Sequence, residues 1–176
     1  MVKRRLIMGE GLGYTCKKCS KKYNVFLGVG MFFPSAFKEA IKDIKKGKYG
    51  TELRIVIDSG ELIVPDAARY FYCCEQCGTW EVAEDLSLYQ PKSIPEIKKQ
   101  QFGDKTVEEW GEIPYATRAD FEMDYKLVYK NPHSCRKCKK EMTRYDISQF
   151  KNDISDELPC PRCGTKNEPD SYIDWD

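Results

Sequence analysis

Apolar and polar residues alternate in short runs along much of this chain. Tyr23, Val25 and Leu27 follow the period of two that turns one side of a strand toward a core. "TELRIVID" at 51–58 repeats that pattern with Leu53, Ile55 and Ile57, Ser59-Gly60 offers a turn, and "ELIV" resumes the apolar run. The stretch therefore predicts a hairpin bounded by Pro65. "RYFYCCEQCGTWEV" at 69–82 reads as strand, tight loop, strand, and "FEMDYKLVY" at 121–129 sets Phe121, Met123, Tyr125, Leu127 and Tyr129 on one face. The clearest helical period follows Ser35, a candidate N-cap for a helix starting at Ala36. Phe37, Ala40, Ile41 and Ile44 share one face of it; Lys38, Glu39, Lys42, Asp43, Lys45 and Lys46 make the other a solvated face. A lysine-rich last turn suits the helix dipole, and Gly47 or Gly50 can end the helix.

Cysteine spacing changes this picture most. Eight of the nine cysteines form four C-x-x-C pairs: Cys16 and Cys19, Cys74 and Cys77, Cys135 and Cys138, Cys160 and Cys163. One such pair is equally compatible with redox thiols, half a disulfide framework or part of a metal clamp. Four pairs of identical spacing point to metal. The opening "MVKRRLIMGEGLG" has only Leu6 to Met8 as an apolar run, too short for a secretory signal, so the expected location is cytoplasmic. A C-x-x-C loop, or knuckle, turns both sulfurs to one side, and two facing knuckles supply the four thiolates that a structural zinc prefers. Taken in chain order, the expected ligand sets are Cys16, Cys19, Cys74 and Cys77, then Cys135, Cys138, Cys160 and Cys163. Gly78 and Gly164, each directly after a knuckle, suit a positive φ or a close backbone approach to sulfur.

Through CKKC at 16–19, CEQCG at 74–78, CRKC at 135–138 and CPRCG at 160–164, the chain resembles the zinc-ribbon class. The resemblance covers about 12–28, 70–86 and 127–168. It implies small antiparallel sheets pinned by two structural Zn2+ ions, with the eight cysteines as ligands. Ser20 and Lys139 stand where many knuckles have glycine. Iron is the rival metal, since CPRCG also resembles the second knuckle of a rubredoxin; the short gap between Cys138 and Cys160 argues against that fold. The class implies little about partners, because ribbons serve nucleic-acid binders, protein adaptors and enzyme appendages alike.

The expected fold class is α+β: two four-cysteine zinc ribbons on small antiparallel sheets, the first with an inserted helix and hairpin. The expected division is a first ribbon domain at 1–90, a connector with short helices at 91–119 and a second ribbon domain at 120–176. Ile97, Phe102, Val107, Trp110 and Ile113 suggest a partly docked connector.

Charge then weighs on function. With 29 basic and 28 acidic residues, the chain lacks the basic excess of most nucleic-acid-binding domains. Each zinc–tetrathiolate adds about −2, so the formal total of +1 would move to about −3 with both sites filled. Lys17, Lys18, Lys21 and Lys22 around one knuckle, and Arg136, Lys137, Lys139 and Lys140 around another, offset that charge and favour thiolate over thiol. The basic trio Lys3 to Arg5 reads as a solvated terminus. Gly28 to Gly30 lack phosphate-loop spacing and read as a turn packed on Phe32 and Phe33. Cys73 should point away from Cys74 as a buried inert thiol, and His133 as a surface or strand residue. Tyr172 and Trp175 lie beside acids at the end of the chain.

Three functional classes follow. The favoured one is a non-catalytic zinc-binding interaction protein that presents a surface to a protein partner, with no membrane contact. A nucleic-acid-binding zinc-ribbon protein is the alternative. A thiol redox or metal-dependent enzyme is the third, and it conflicts with two complete ligand sets, because catalysis needs an open coordination position and a nearby acid–base group. Glu75, Asp85 and Glu141 lie near knuckles but are no more than surface acids in sequence.

Overall fold

The computed structural model describes residues 9–30, 33–60, 62–103, 116–154 and 157–174. Among them the chain is mixed α and β, with five helices and four small antiparallel sheets. No described helix is long and apolar enough to cross a membrane. The chain divides into two compact units that are not consecutive in sequence. One draws its described residues from 33–67 and 85–131, the other from 9–32, 68–84 and 132–174. The expected blocks 1–90, 91–119 and 120–176 cut across both.

In the first unit, α1 (Phe33–Lys45) buries Phe33, Phe37, Ala40 and Ile44. It begins before the expected Ala36, because Pro34 costs nothing in a first turn whose N–H groups lack intrahelical acceptors. Phe33 also packs on Phe37, ring centroids 6.0 Å apart. Gly47, at φ 78°, ends the helix. Its N–H donates to the Ile44 carbonyl and the Lys48 N–H to the Asp43 carbonyl, the paired bonds of a Schellman cap.

The expected hairpin at 51–64 is not formed. "TELRIVID" is helix α2 (Thr51–Asp58), which buries Leu53 and Ile57 and leaves Ile55 62% exposed. Leu53 and Ile57 satisfy a helical i, i+4 spacing as well as a period of two, and Val56 completes the helical face. Glu52 in the first turn favours the same outcome. Of the described residues of "ELIV" only Val64 enters a strand, β3 (Val64–Pro65), which pairs with β6 (Leu88–Pro91).

Beside β6 lies β7 (Tyr125–Tyr129), completing a three-stranded sheet in the order β3-β6-β7. The expected extended run at 121–129 is therefore half helix. Thr117 donates through both its N–H and its hydroxyl to the Asp120 carboxylate, at 2.8 and 2.7 Å, which sets up α4 (Arg118–Asp124). Phe121 and Tyr125 turn inward, while Met123 and Leu127 are exposed. Helix α3 (Ile94–Phe102) occupies part of the expected connector and buries Ile97. Val107, Trp110 and Ile113 lie outside the described residues, as do Lys3 to Arg5, Phe32 and Trp175.

The second unit carries the cysteines. β1 (Glu10–Thr15) lies between β2 (Lys22–Leu27) and β11 (Ser171–Asp174). β4 (Arg69–Cys73) lies between β5 (Trp80–Glu84) and β8 (Thr143–Tyr145). The short β9 (Leu158–Pro159) pairs with β10 (Lys166–Asn167), and α5 (Ile147–Asp153) is capped by Asp146, whose carboxylate accepts the Gln149 N–H. Gly28 and Arg69 exchange two backbone hydrogen bonds, and a Cβ at Gly28 would meet Ile147 Cδ1 at 2.6 Å. The final strand pairs with β1, residue for residue from Gly13↔Ser171 to Glu10↔Asp174.

Candidate metal centres

All four knuckles fold alike. The first cysteine's N–H donates to the carbonyl five residues on, and the N–H four residues on donates back to its carbonyl: Cys16 with Lys21 and Ser20, Cys74 with Thr79 and Gly78, Cys135 with Lys140 and Lys139, Cys160 with Thr165 and Gly164. The residue after the second cysteine closes each turn in the left-handed region, at φ 56° for Ser20, 67° for Gly78, 63° for Lys139 and 74° for Gly164. Two knuckles thus meet the glycine requirement and two hold a strained L-residue in the same place.

The knuckles assemble as two tetrads, but not in chain order. Cys16 and Cys19 join Cys160 and Cys163; Cys74 and Cys77 join Cys135 and Cys138. The first tetrad is called here the outer site and the second the inner site, from their nesting along the chain. The expected sets, Cys16, Cys19, Cys74, Cys77 and Cys135, Cys138, Cys160, Cys163, are corrected accordingly. Strand pairing is the reason. β1, which leads into Cys16, is bonded to β11, which follows the fourth knuckle. β4, which leads into Cys74, is bonded to β8, which follows the third. Each tetrad still joins one lysine-rich knuckle to one that ends in Gly-Thr.

Sulfur geometry separates metal from disulfide. Cys16 and Cys163 sulfurs lie 3.5 Å apart, Cys19 and Cys160 3.7 Å, Cys74 and Cys138 3.3 Å, Cys77 and Cys135 3.5 Å. All nine cysteines are free. A tetrahedron with metal–sulfur bonds of about 2.3 Å has edges of about 3.8 Å, whereas a disulfide is about 2.05 Å. Within each tetrad the four sulfurs lie within 4.8 Å of one another. Two four-cysteine groups that could hold a metal ion are therefore present.

Two thiols of each tetrad are held below the ordinary value, Cys16 and Cys163 in the outer site and Cys77 and Cys135 in the inner, with Cys163 and Cys77 lowered furthest. Cys77 Sγ lies 3.2 Å from Thr79 Oγ1, and Cys163 Sγ 3.4 Å from Thr165 Oγ1. As thiolates they accept from these hydroxyls and from the same residues' backbone N–H groups, which lowers each pKa to about 6. At Cys19 the Lys21 amide acts in the same direction, but burial and the three neighbouring sulfurs outweigh it and raise the pKa to about 11. Cys138 is likewise near 11 despite the Lys140 amide, with the Cys74 sulfur the largest opposing influence. Four close sulfurs resist full ionisation by themselves, and a divalent cation relieves that repulsion.

Several residues that support the sites escaped the sequence reading. Asn167, 2% exposed, accepts the Lys17 N–H at 2.9 Å, inside the first knuckle, and donates to the Thr165 carbonyl beside the fourth. It also donates to the Tyr23 hydroxyl, which in turn donates to the Leu158 carbonyl at 3.0 Å. Trp80 Nε1 donates to the Pro159 carbonyl at 2.8 Å, next to Cys160. The repeated Gly-Thr after Cys77 and Cys163 was a readable signal for the two thiols lowered to about 6. Asn167's bond to the first knuckle spans 150 positions and Trp80's bond to Pro159 spans 79, so neither link shows in a short window.

β4 serves both sites. Phe71 belongs to the core of Leu12, Tyr14, Tyr23, Val25, Phe150 and Leu158 that surrounds Cys16 and Cys160, and Cys73 packs against that core. Tyr70, Tyr72 and Cys74 belong to the cluster around Cys135 with Met142. Cys73 is thus half-buried on the side opposite Cys74, its thiol pushed up chiefly by burial, and stands in neither tetrad. His133 stacks on Tyr72, ring centroids 3.8 Å apart.

No protein-family model, no curated protein and no solved structure matches this chain.

Proposed function

We propose that the eight cysteines hold two structural zinc ions and that the protein is a non-catalytic scaffold presenting a surface to a protein partner. The observation that carries this reading is the closure of both tetrads. Four sulfurs at tetrahedral spacing fill each site, and a catalytic zinc keeps one position for water or substrate. The completeness of both ligand sets also argues against a dithiol–disulfide cycle, since oxidation of one C-x-x-C pair would remove two ligands at once. Structural zinc contributes about 10–16 kcal/mol of apparent binding free energy in small domains, enough to hold together sheets of two to six residues per strand.

Exposed apolar side chains support a protein partner. Ile55 is 62% exposed, Met123 53% and Leu127 50%, all in the unit that carries no tetrad. The near-balance of 29 basic and 28 acidic residues gives no matching support for a polyanion.

Elemental analysis of the native protein tests the metal, with two zinc per chain expected; iron, or no metal, overturns that part. Partner recovery with intact protein and with Ile55→Asp/Leu127→Asp tests the surface. Loss of a specific protein from the variant, at unchanged metal content, supports the reading. Retention on mixed nucleic acid that falls log-linearly with salt favours the polyanion alternative, in which the lysine-rich knuckles make the contacts.

A further inference from the structure

We infer that the two sites load in order and are coupled through β4: the inner site binds its metal first, and its filling completes the outer site. This rests on the zinc reading above and goes beyond it, to how one site depends on the other.

The dependence is visible in which residues each core borrows. The inner site clamps the β4–β5 turn, through Cys74 and Cys77, to the segment leading into β8, through Cys135 and Cys138. A metal there closes the sheet β5-β4-β8. The far side of that sheet then supplies Phe71, Cys73, Trp80, Val82 and Tyr145 to the core around the outer site. Phe71 is 1% exposed, stacks against Trp80 at 5.5 Å and packs on Phe150 at 4.8 Å. Trp80 also holds the strand entering the fourth knuckle through its bond to Pro159.

The reverse borrowing is slight among the described residues. The cluster around the inner site comprises Ala68, Tyr70, Tyr72, Cys74, Cys135 and Met142, with Val29, Cys77, Ala83 and Cys138 against it. Of these only Val29, two residues past β2, comes from a segment that continues β1, β2, β9, β10 or β11, the strands that carry the outer site. An empty inner site therefore removes a wall of the outer one, while an empty outer site uncovers the far face of the inner sheet but leaves the cluster around Cys74 and Cys135 in place.

Chain connectivity acts in the same direction. Facing inner sulfurs are 58 and 64 positions apart, facing outer sulfurs 141 and 147. Loop-closure entropy grows with the logarithm of that separation and so disfavours the outer site when each must form alone. Coupling of binding free energies is reciprocal, so the order comes from this difference in intrinsic affinity, and β4 transmits the gain.

The test removes zinc from the native, full-length protein with graded chelator, follows metal stoichiometry by native mass spectrometry, and maps exposed thiols by alkylation. At one zinc per chain, Cys16, Cys19, Cys160 and Cys163 should be alkylated while Cys74, Cys77, Cys135 and Cys138 stay protected. Cys135→Ser/Cys138→Ser should weaken zinc binding at the outer site by at least ~10-fold, within the usual range of intersite coupling. Cys160→Ser/Cys163→Ser should keep one zinc at the inner site. Parallel protection of both sets at one equivalent, or an unchanged outer affinity in the first variant, overturns the inference and leaves the zinc reading intact. No bound metal in any form of the protein overturns both.

Discussion

Cys16 Sγ and Cys163 Sγ lie 3.5 Å apart although 147 positions separate them in the chain. This nested pairing, first knuckle with fourth and second with third, makes a direct prediction about which thiols are released together. Cys163→Ser should expose Cys16, Cys19 and Cys160 to alkylation and leave Cys135 and Cys138 protected. Pairing in chain order would instead release Cys135, Cys138 and Cys160. Mass mapping of alkylated peptides distinguishes the two.

The four turn-closing residues supply a second prediction. Ser20 and Lys139 hold positive φ at a cost of about 1–2 kcal/mol, and glycine removes that cost while adding about 0.5–1 kcal/mol of unfolded-chain entropy. Ser20→Gly and Lys139→Gly should each stabilise the metal-loaded protein by about 0.5–1 kcal/mol. Gly78→Ala and Gly164→Ala should cost about 1 kcal/mol. A Cβ at either glycine meets nothing within 4 Å, so backbone conformation alone sets the loss. Denaturant midpoints at fixed free zinc measure all four.

Asn167 joins the outer knuckles from a buried position. Asn167→Ala leaves the Lys17 N–H short of a partner, at about 1–3 kcal/mol, while the Thr165 carbonyl keeps the Cys160 N–H. Chelator should then strip zinc faster from the outer site, with the inner rate changed much less. Equal acceleration at both sites would count against a local role. Stopped-flow release with a zinc-sensitive dye, combined with alkylation mapping, reads this.

Thiol acidity predicts a pH dependence in the metal-free protein. Cys77 and Cys163 have folded pKa values of about 6 against an ordinary value of 9.0. The unfolded chain therefore binds more protons between those limits. The contribution of these two groups to folding is full above about pH 9 and is lost as pH falls through about 6. In the apo protein at pH 7 these thiols should react with iodoacetamide ahead of Cys19 and Cys138. Thr79→Val and Thr165→Val should each move the midpoint of the corresponding rate profile upward by at least ~1 unit, as loss of a hydrogen bond to a thiolate requires.

Helix α2 gives a stability contrast that a hairpin would not. Ile57→Ala should cost about 2–4 kcal/mol and Ile55→Ala under about 0.5 kcal/mol, because only Ile57 is buried. A strand with Leu53, Ile55 and Ile57 on one face would make the two losses similar. Urea denaturation of the two variants decides.

The sequence alone determined the local chemistry. Hydrogen bonding within five residues shapes a C-x-x-C turn, so all eight cysteines, the positive φ at Gly78 and Gly164, and strands beside the knuckles were legible from short windows. The charged face of α1 was legible for the same reason, and its end was narrowed to Gly47 or Gly50, of which the structure uses Gly47. Where one window fits two periods, tertiary burial chose between them: Leu53 and Ile57 suit strand and helix equally, and the core against α1 selected the helix. At 121–129 the Thr117–Asp120 capping bonds made half of an alternating run helical. The partition of cysteines into tetrads lay beyond any window. All four knuckles offer a metal the same pair of sulfurs, so pairing β1 with β11 and β4 with β8, and packing both cores on β4, decided which sulfurs meet.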